Sequence, residues 1–306
     1  MSSENRKSFR RRRIGPAAIL IAALFFSAAV PARGAEETDP AKTKKTVLRW
    51  AALTGPPLVM LAYGRFAWHW GETGRWRWST EKNWGYHSDS GGSDKIGHAF
   101  AHYVLARAFY DIYDYTEDGK PRKWLYAGLS AAAIGLLIEV GDAFTDKYGF
   151  SWGDIAANLS GIAFGLFLEA SPKAAGLVGF SWEYFPSPGF RDSGKSWFRQ
   201  FTVDNTGWKF MLNFKPAGLE AFGLRIPKPL RYVTLDLGFF VRGYTDFDRS
   251  RGVADGRYLF VGASLNLSQI LRDIFKSSGF FGRTLPTYFE YVHLPLGFKW
   301  SWGIDR

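Results

Sequence analysis

Apolar residues recur with a helical period in the first part of the chain and with a period of two in the second. In residues 45–172 one stretch, residues 95–113, places Ile96, Phe100 and Tyr103 at helical spacing. In residues 179–306 the apolar segments are rich in aromatic and β-branched residues and end at Gly, Pro or Asp, as strands do. The pattern predicts an α+β fold, an N-terminal bundle of about four helices followed by a small antiparallel β-sheet region.

Three further segments complete the predicted bundle. Residues 47–63 contain a Gly-Pro-Pro sequence, so they form either one kinked, membrane-associated helix or two short pieces. Residues 124–138 and 155–168 are rich in Ala, Gly and Leu, and their apolar cores are shorter than the ~20 residues of a bilayer span. A packed envelope bundle and a bundle embedded in a membrane fit this pattern equally well.

The second part contains four predicted strands, at residues 208–214, 232–244, 258–267 and 287–302. In the third of these, the apolar side chains of residues 259, 261, 263 and 265 share one face, as in a half-buried sheet or one wall of a barrel. A closed membrane barrel needs about eight strands or more, so we expect a small sheet packed on the helices. Residues 268–275 predict a short amphipathic helix capped by Ser268.

A tryptophan-rich insertion, residues 66–87, separates the first two helices. It holds five tryptophans, with Arg75 and Arg77 between them. Amphipathic rings beside cationic groups are typical of a membrane–water interface, and tryptophan rings also stack on sugars. Rings that merely cover one end of the bundle core are the structural alternative.

The chain start has the pattern of an export signal. A run of four arginines precedes the apolar residues 14–30, and small side chains then fit a signal-peptidase site. We expect a signal peptide at 1–32 and a linker at 33–44; an uncleaved anchor is the alternative. The predicted location is the periplasm or the cell-envelope membrane of a Gram-negative bacterium.

Composition narrows the classes of protein. The chain has no cysteine, which excludes disulfides, thiolate metal sites and a lipid-modified N-terminal cysteine. The predicted signal holds six of the basic groups and one acidic group, so the formal net charge of +11 falls to about +6 without it. A modest positive charge suits an anionic membrane or cell-wall polymer. No nucleic-acid motif is present, and no protein partner is identified.

Polar side chains concentrate on three of the predicted helices. They are Asp94, Lys95, His98 and His102 on the first helix, Glu139 and Asp142 on the second, and Asp154 and Asn158 on the third. Residues three or four positions apart share a helix face, so three converging faces would enclose one polar pocket. Gly161 and Gly165, four apart, would allow the close helix contact that such a pocket needs.

Two kinds of chemistry fit this group. Imidazole with carboxylate suits a divalent ion such as Zn, Mn or Fe. General acid–base chemistry is the other, with His98, Glu139 and Asp142 as candidate catalytic groups and the remaining members as binding groups. No nucleophile motif, complete metal motif or nucleotide-binding loop accompanies them.

A structural network would use the same residues differently. Ser151 and Asp154 fit a capping box, and Ser93 or Asp94 would cap the preceding helix. Lys95 would then pair with Glu139 or Asp142. Capping does not account for His98 and His102, one turn apart on an apolar helix.

The spaced motifs resemble a known family. Asp94-Lys95-x-x-His98, the Glu-x-x-Asp at 139–142 and the Ser-Trp-x-Asp at 151–154 resemble the YfiM-like family of unknown function, whose small members are predicted periplasmic lipoproteins. More distantly, they are similar to VanZ-like membrane proteins linked to glycopeptide resistance. The resemblance covers residues 92–168 and implies an envelope location without a reaction. The missing lipoprotein cysteine and the long β-rich part depart from it.

Two functional hypotheses follow from the sequence. The first is a structural or interaction protein of the envelope, with a polar network inside its bundle and a membrane as its partner. The alternative is an envelope enzyme or binding protein that acts on a lipid or glycan phosphate headgroup. In that alternative Lys95 would neutralise the phosphate and His98 would transfer a proton.

Overall fold

The computed structural model confirms the predicted α+β architecture, with a helical part followed by an antiparallel sheet. It describes residues 39–82, 84–116, 121–192, 194, 196, 201–276 and 279–305. The predicted signal peptide, residues 1–32, lies outside the described residues.

Four helices form the bundle: α1 (Pro40–Ala67), α2 (Ser93–Thr116), α3 (Arg122–Asp142) and α4 (Trp152–Ala170). The first helix begins inside the segment predicted as a linker. Asp39 caps it by accepting the N–H of Ala41, and a proline at its first position lacks the N–H that would otherwise be unpaired. The helix continues through Pro56 and Pro57, so residues 47–63 form part of one helix and not two pieces.

Glycines bring α2 and α4 into direct contact, as predicted. A Cβ on Gly161 would collide with the backbone oxygen of Ala99, and one on Gly165 would lie 2.8 Å from that of Tyr103. The bundle core lies on the other sides of these helices, where Phe109 of α2 packs with alanines and isoleucines of α3. This close approach is what allows the polar faces of the helices to meet.

Shorter helices follow the bundle: α5 (Pro172–Leu177), α6 (Pro188–Asp192), α7 (Lys228–Arg231), α8 (Asp246–Arg249), α9 (Leu267–Phe275) and α10 (Gly279–Tyr291). Three 3-10 helices lie at Phe201–Val203, Asn205–Gly207 and Pro216–Phe222. The sheet consists of β1 (Val178–Tyr184), β2 (Trp208–Phe214), β3 (Val233–Arg242), β4 (Gly256–Leu265) and β5 (Gly297–Gly303). Its strands lie in sequence order and are all antiparallel to their neighbours.

Three local predictions in the second part are wrong. The strand predicted at 287–302 is the end of α10 followed by β5, because alternating aromatic residues cross a helix end there. The strand β1, whose seven residues directly follow the helix α5, was missed, because the sequence analysis placed its first strand at 208–214. Asn266, and not Ser268, caps α9 by accepting the N–H of Gln269.

The apolar face of the sheet points outward. One register row across all five strands contains Phe180, Leu212, Leu237, Val261 and Trp300. The last four of these are exposed, Trp300 by 65%. We call the alternate positions that share this face on β2 to β5 the outer face. At one end of this face, α2 covers Phe210, Phe239 and Val241, which are buried, whereas the last four residues of the row named above stay exposed.

The opposite, inner face of the sheet is buried and carries charge. Asp236 accepts hydrogen bonds from Asn213 and Ser264, which lie on the neighbouring strands. Glu183 pairs with Lys209 and Lys299. The inner face therefore buries charged groups beside the apolar cluster of Met211, Phe240 and Phe260, while exposed apolar side chains lie on the outer face. A sheet that covers a water-soluble core has its exposed face polar instead.

One helix within the described residues, α3, is long and apolar enough to cross a membrane. Less than half of its most apolar stretch is buried, and Leu125, Leu129 and Leu136 lie exposed on it. The core helix of a soluble protein meets the same criteria, so this feature alone is weak evidence for a span.

Candidate functional site

Lys95 is the centre of a buried polar cluster between α2 and α4. Its side chain is 2% exposed. The ammonium Nζ lies 2.6 Å from Glu81 Oε2, 2.8 Å from Asp154 Oδ1 and 3.2 Å from Asp94 Oδ2. Burial opposes its charge, but the three carboxylates outweigh burial and raise the pKa of Lys95, so it is a permanent cation.

Glu81 is the partner of Lys95 that the sequence analysis missed. It precedes α2 in a segment without a helical or strand period, so no spacing links it to the lysine. Its second oxygen accepts a hydrogen bond from Ser90 Oγ at 3.2 Å. The predicted partners of Lys95, Glu139 and Asp142, are wrong, because both carboxyl groups on α3 bond elsewhere.

His98 adds an imidazole to the cluster, one turn after Asp94. Its Nδ1 lies 3.0 Å from Asn158 Oδ1, and since an amide oxygen only accepts, Nδ1 is the donor. Its Nε2 lies 3.8 Å from Asp94 Oδ1 and from Asp154 Oδ1. Burial opposes a second proton, but these carboxylates outweigh it and raise the pKa of His98 to about 9.

His102 is the neutral member of the histidine pair. Its ring stacks parallel to that of His98, and its Nδ1 donates to the His98 carbonyl at 2.9 Å. Burial lowers the pKa of His102 to about 4. Its Nε2 is buried and has no hydrogen-bond partner among the described residues.

Gly135 brings α3 close to the side chains of His102 on α2 and Asn158 on α4. A Cβ at this position would lie 2.7 Å from His102 Nε2 and 2.8 Å from Asn158 Nδ2. The three helices therefore meet at one place, where α2 and α4 contribute the polar side chains of His98, His102 and Asn158 and α3 contributes Gly135.

Glu139 joins α3 to the start of α4. Its Oε2 accepts the backbone N–H of Ser151 at 2.9 Å, while Ser151 Oγ accepts the N–H of Asp154. The predicted capping box is therefore half confirmed: Glu139 replaces Asp154 in the reciprocal bond, because Asp154 faces Lys95. Burial raises the pKa of Glu139 to about 8, and its Oε1 has no hydrogen-bond partner in the described part of the chain.

Asp142 serves another part of the molecule. Its Oδ1 accepts the indole N–H of Trp70 at 2.7 Å. Burial raises the pKa of Asp142 to about 7, although the indole bond opposes that rise. Gly64 of α1 and Gly141 of α3 make room for the Trp70 ring, since a Cβ on either would collide with it.

Carboxyl groups outnumber cations in this region. Glu81, Asp94, Glu139, Asp142 and Asp154 share Lys95 and His98. Burial raises the pKa of Glu81 and of Asp154. The excess of carboxylate makes the cluster a place for a further cation or for protons, and a poor one for a phosphate.

Three of these groups have the geometry of metal ligands. One ligand atom each from Asp94, His98 and Asp154 lies within 4.8 Å of the other two. Two carboxylates with an imidazole suit a borderline divalent ion such as Zn or Mn. Because Lys95 contacts both carboxylates, an ion would have to compete with its ammonium.

The tryptophan-rich insertion divides between core and surface. Trp70 is buried in the bundle, as the structural alternative predicted. Trp76, Trp78 and Trp84 are exposed, and the first two pack on Phe150, which precedes α4. Because these three rings are exposed, the interpretation of the insertion as a segment at a membrane–water interface stays a prediction.

Comparison with protein families found one match to this region. A family model described as predicted periplasmic lipoprotein (DUF2279) matches residues 81–170, from Glu81 to the end of α4. The match covers less than a third of the chain but includes every residue of the polar cluster. The comparison with curated proteins gave no match, and the comparison with solved structures gave none.

The match agrees with the expected location and leaves the function open. The family description fits an exported envelope protein, as the sequence predicted, and it names no reaction. The YfiM-like and VanZ-like resemblances stay predictions. Over the helices that hold the cluster, the chain is similar to a family of predicted periplasmic lipoproteins whose role is uncharacterised.

Proposed function

We propose that this protein is a structural or interaction protein of the cell envelope that attaches to a lipid bilayer through the outer face of its β-sheet. The observation that carries this proposal is the row from Leu212 through Leu237 and Val261 to Trp300, in which four neighbouring strands all present exposed apolar side chains. Contiguous apolar patches larger than a few hundred Å² are rare on soluble monomers and mark contact surfaces.

A second register row extends the same surface. It contains Phe214, Leu235, Ala263 and Phe298, and both Leu235 and Phe298 are exposed. Moving a large apolar side chain out of water contributes about 1.5–3 kcal/mol, so several such residues supply enough free energy for attachment. A lipid environment removes this exposure without any change in the fold.

Aromatic residues concentrate on the edge strand of this surface. On β5, Phe298, Trp300 and Trp302 all belong to the outer face and are exposed. Tryptophan prefers the boundary between lipid and water, where its ring contacts apolar groups and its N–H stays hydrated. This distribution favours a bilayer over an apolar protein partner.

The polar cluster has a structural role in this proposal. Lys95 links Asp94 of its own helix with Asp154 of α4, and Glu139 links α3 with α4. The phosphate-headgroup alternative finds no support from Lys95, because three carboxylates hold its ammonium and its side chain is buried.

The test uses the absence of native cysteine, which lets one introduced thiol carry a label. Val261→Cys places a polarity-sensitive fluorophore on the outer face, and Ser301→Cys places it on the inner-face side of the neighbouring strand. In vesicles of phosphatidylethanolamine and phosphatidylcholine, emission from position 261 should shift to the blue and become sensitive to a quencher dissolved in lipid. Emission from position 301 should do neither.

Equal behaviour of the two labels, or quenching at 261 by a water-soluble quencher alone, contradicts attachment through this face. Because the readout is local, attachment through the N-terminal apolar segment would not imitate the expected result.

A cation-binding site is the second candidate function, favoured by the convergence of Asp94, His98 and Asp154. Titration of the purified protein with Zn²⁺ would give a saturable site that His98→Ala removes. His87→Ala, at an exposed histidine, is the matched control. If His98→Ala only lowers the unfolding temperature and the wild type binds no Zn²⁺, the cluster is structural.

A further inference from the structure

A deep groove separates the bundle from the sheet. Its volume is about 750 Å³, within the ~300–1,000 Å³ typical of ligand sites. One wall comes from the outer-face side of β2 to β4, with Leu212, Leu237 and Leu259 among its members. The other wall comes from α2 and α4, where Ala99 and Ala156 take part.

We propose that this groove binds an acyl chain of a bilayer phospholipid. The inference rests on the proposed function, since it requires the outer face to lie against lipid. It goes further than the proposed function, because attachment to a bilayer needs only an apolar surface, whereas this proposal assigns a binding site for one lipid molecule.

Continuity with the outer face identifies the occupant. Leu212 and Leu237 belong both to the exposed apolar row and to the groove wall. Leu237 is 52% exposed, so the groove is open along the surface that faces the bilayer. A chain can therefore enter sideways from the membrane without crossing water.

Small side chains on the bundle side leave the space for that chain. Gly153, Ala156, Ala157 and Ser160 follow one another along α4 where larger residues would fill the groove. The aromatic residues on the sheet side, Phe210 among them, provide a smooth apolar wall. The groove offers few polar partners, which suits a hydrocarbon chain and not a sugar or a peptide.

The polar cluster determines which headgroup fits. Lys95 lines the groove and also holds the cluster together, so the two are adjacent. Asp94, next to Lys95 in the chain, is 34% exposed, and carboxylates are in excess in the adjacent cluster. A headgroup that carries an amine suits this charge, whereas a headgroup with only a phosphate meets repulsion.

The experiment measures lipid bound to the delipidated full chain in detergent by native mass spectrometry. The two probes are phosphatidylethanolamine and phosphatidylglycerol with the same acyl chains. We expect one phosphatidylethanolamine to bind each protein, with at least about tenfold weaker binding of phosphatidylglycerol, a difference of about 1.4 kcal/mol.

Two variants place a larger side chain in the groove at exposed or half-exposed positions of α4. Ala156→Trp and Ser160→Leu should each reduce bound lipid about tenfold or more while the unfolding temperature stays within the range of the control. The control is Leu136→Trp, on the exposed side of α3 and away from the groove.

Wild-type binding by both folded groove variants overturns the proposal. Equal binding of the two lipids, or stronger binding of phosphatidylglycerol, overturns the headgroup assignment. If the label at position 261 reports lipid but the protein holds no stoichiometric phospholipid, the groove inference fails and bilayer attachment stands. If phospholipid binds in the groove but the label reports water in vesicles, bilayer attachment fails.

Discussion

Two buried regions of this molecule contain carboxylates and cations, but in different proportions. In the sheet region, Glu290 of α10 meets both Lys215 and Arg272, and these cations outweigh burial and lower its pKa to about 2. In the bundle, carboxyl groups outnumber cations, and burial raises the pKa of Glu139 to about 8. A buried carboxylate that meets matching cations keeps its charge, whereas unmatched buried carboxyls resist ionisation and cost stability when they are charged.

The largest expected effect comes from removing the bundle's central cation. Lys95→Met leaves Glu81, Asp94 and Asp154 without their shared ammonium, and we expect a loss of about 3–5 kcal/mol in the free energy of unfolding. Urea denaturation measures it. Lys123→Met, at a surface pair with Asp114, should change the free energy of unfolding far less. Equal effects of the two substitutions would mean that the cluster contributes no more than a surface pair.

Removal of the matched carboxylate in the sheet region should cost nearly as much. Glu290→Gln leaves Lys215 and Arg272 facing a neutral amide, with an expected loss of about 3 kcal/mol near neutral pH. Because the folded pKa lies below the unfolded one, this stability is present above about pH 4.5 and is lost as the pH falls towards 2. The wild type and the variant should therefore converge in acid; a constant difference down to pH 2 would contradict the pairing.

Glu139→Gln should have the smallest effect on the free energy of unfolding, and it should increase that free energy where the other two substitutions decrease it. The folded pKa of Glu139 is raised, so wild-type stability falls as the pH rises from about 4.5 to 8, while the amide keeps an acceptor for the Ser151 N–H. We expect the variant to gain on the wild type by up to about 1–2 kcal/mol across this range. Thermal unfolding at pH 5 and pH 8 measures the gain, and a loss at pH 8 would show that the carboxylate is needed in its charged form.

The period of the apolar residues correctly predicted the helices and the strand in which that period is regular. The three helices that carry the polar motifs were located to within a few residues, and so was β2, because their apolar repeats are long and uninterrupted. The end of α10 was taken for a strand because aromatic residues such as Tyr288, Phe289 and Tyr291 are enriched in strands. Pattern within one segment cannot separate these two cases.

Alternation of apolar and polar residues alone could not predict which face of the sheet is buried. The sequence showed that Val261 and Leu265 share a face, but an alternating strand is compatible with either face inward. Only the pairing of Asp236 with Asn213 across two strands determines that the polar side is buried. The partners of Lys95 were missed for a related reason, since Glu81 is fourteen residues away in a segment without regular spacing.

The tryptophan that separates α1 from α3 has a mechanical consequence. Gly64 and Gly141 each press their backbones against the Trp70 ring, and the ring holds Asp142 through its N–H. Sliding or tilting of α1 must therefore displace the indole and with it a carboxyl group on α3. Trp70 therefore works as a coupling between the position of α1 and the buried polar interior of the bundle.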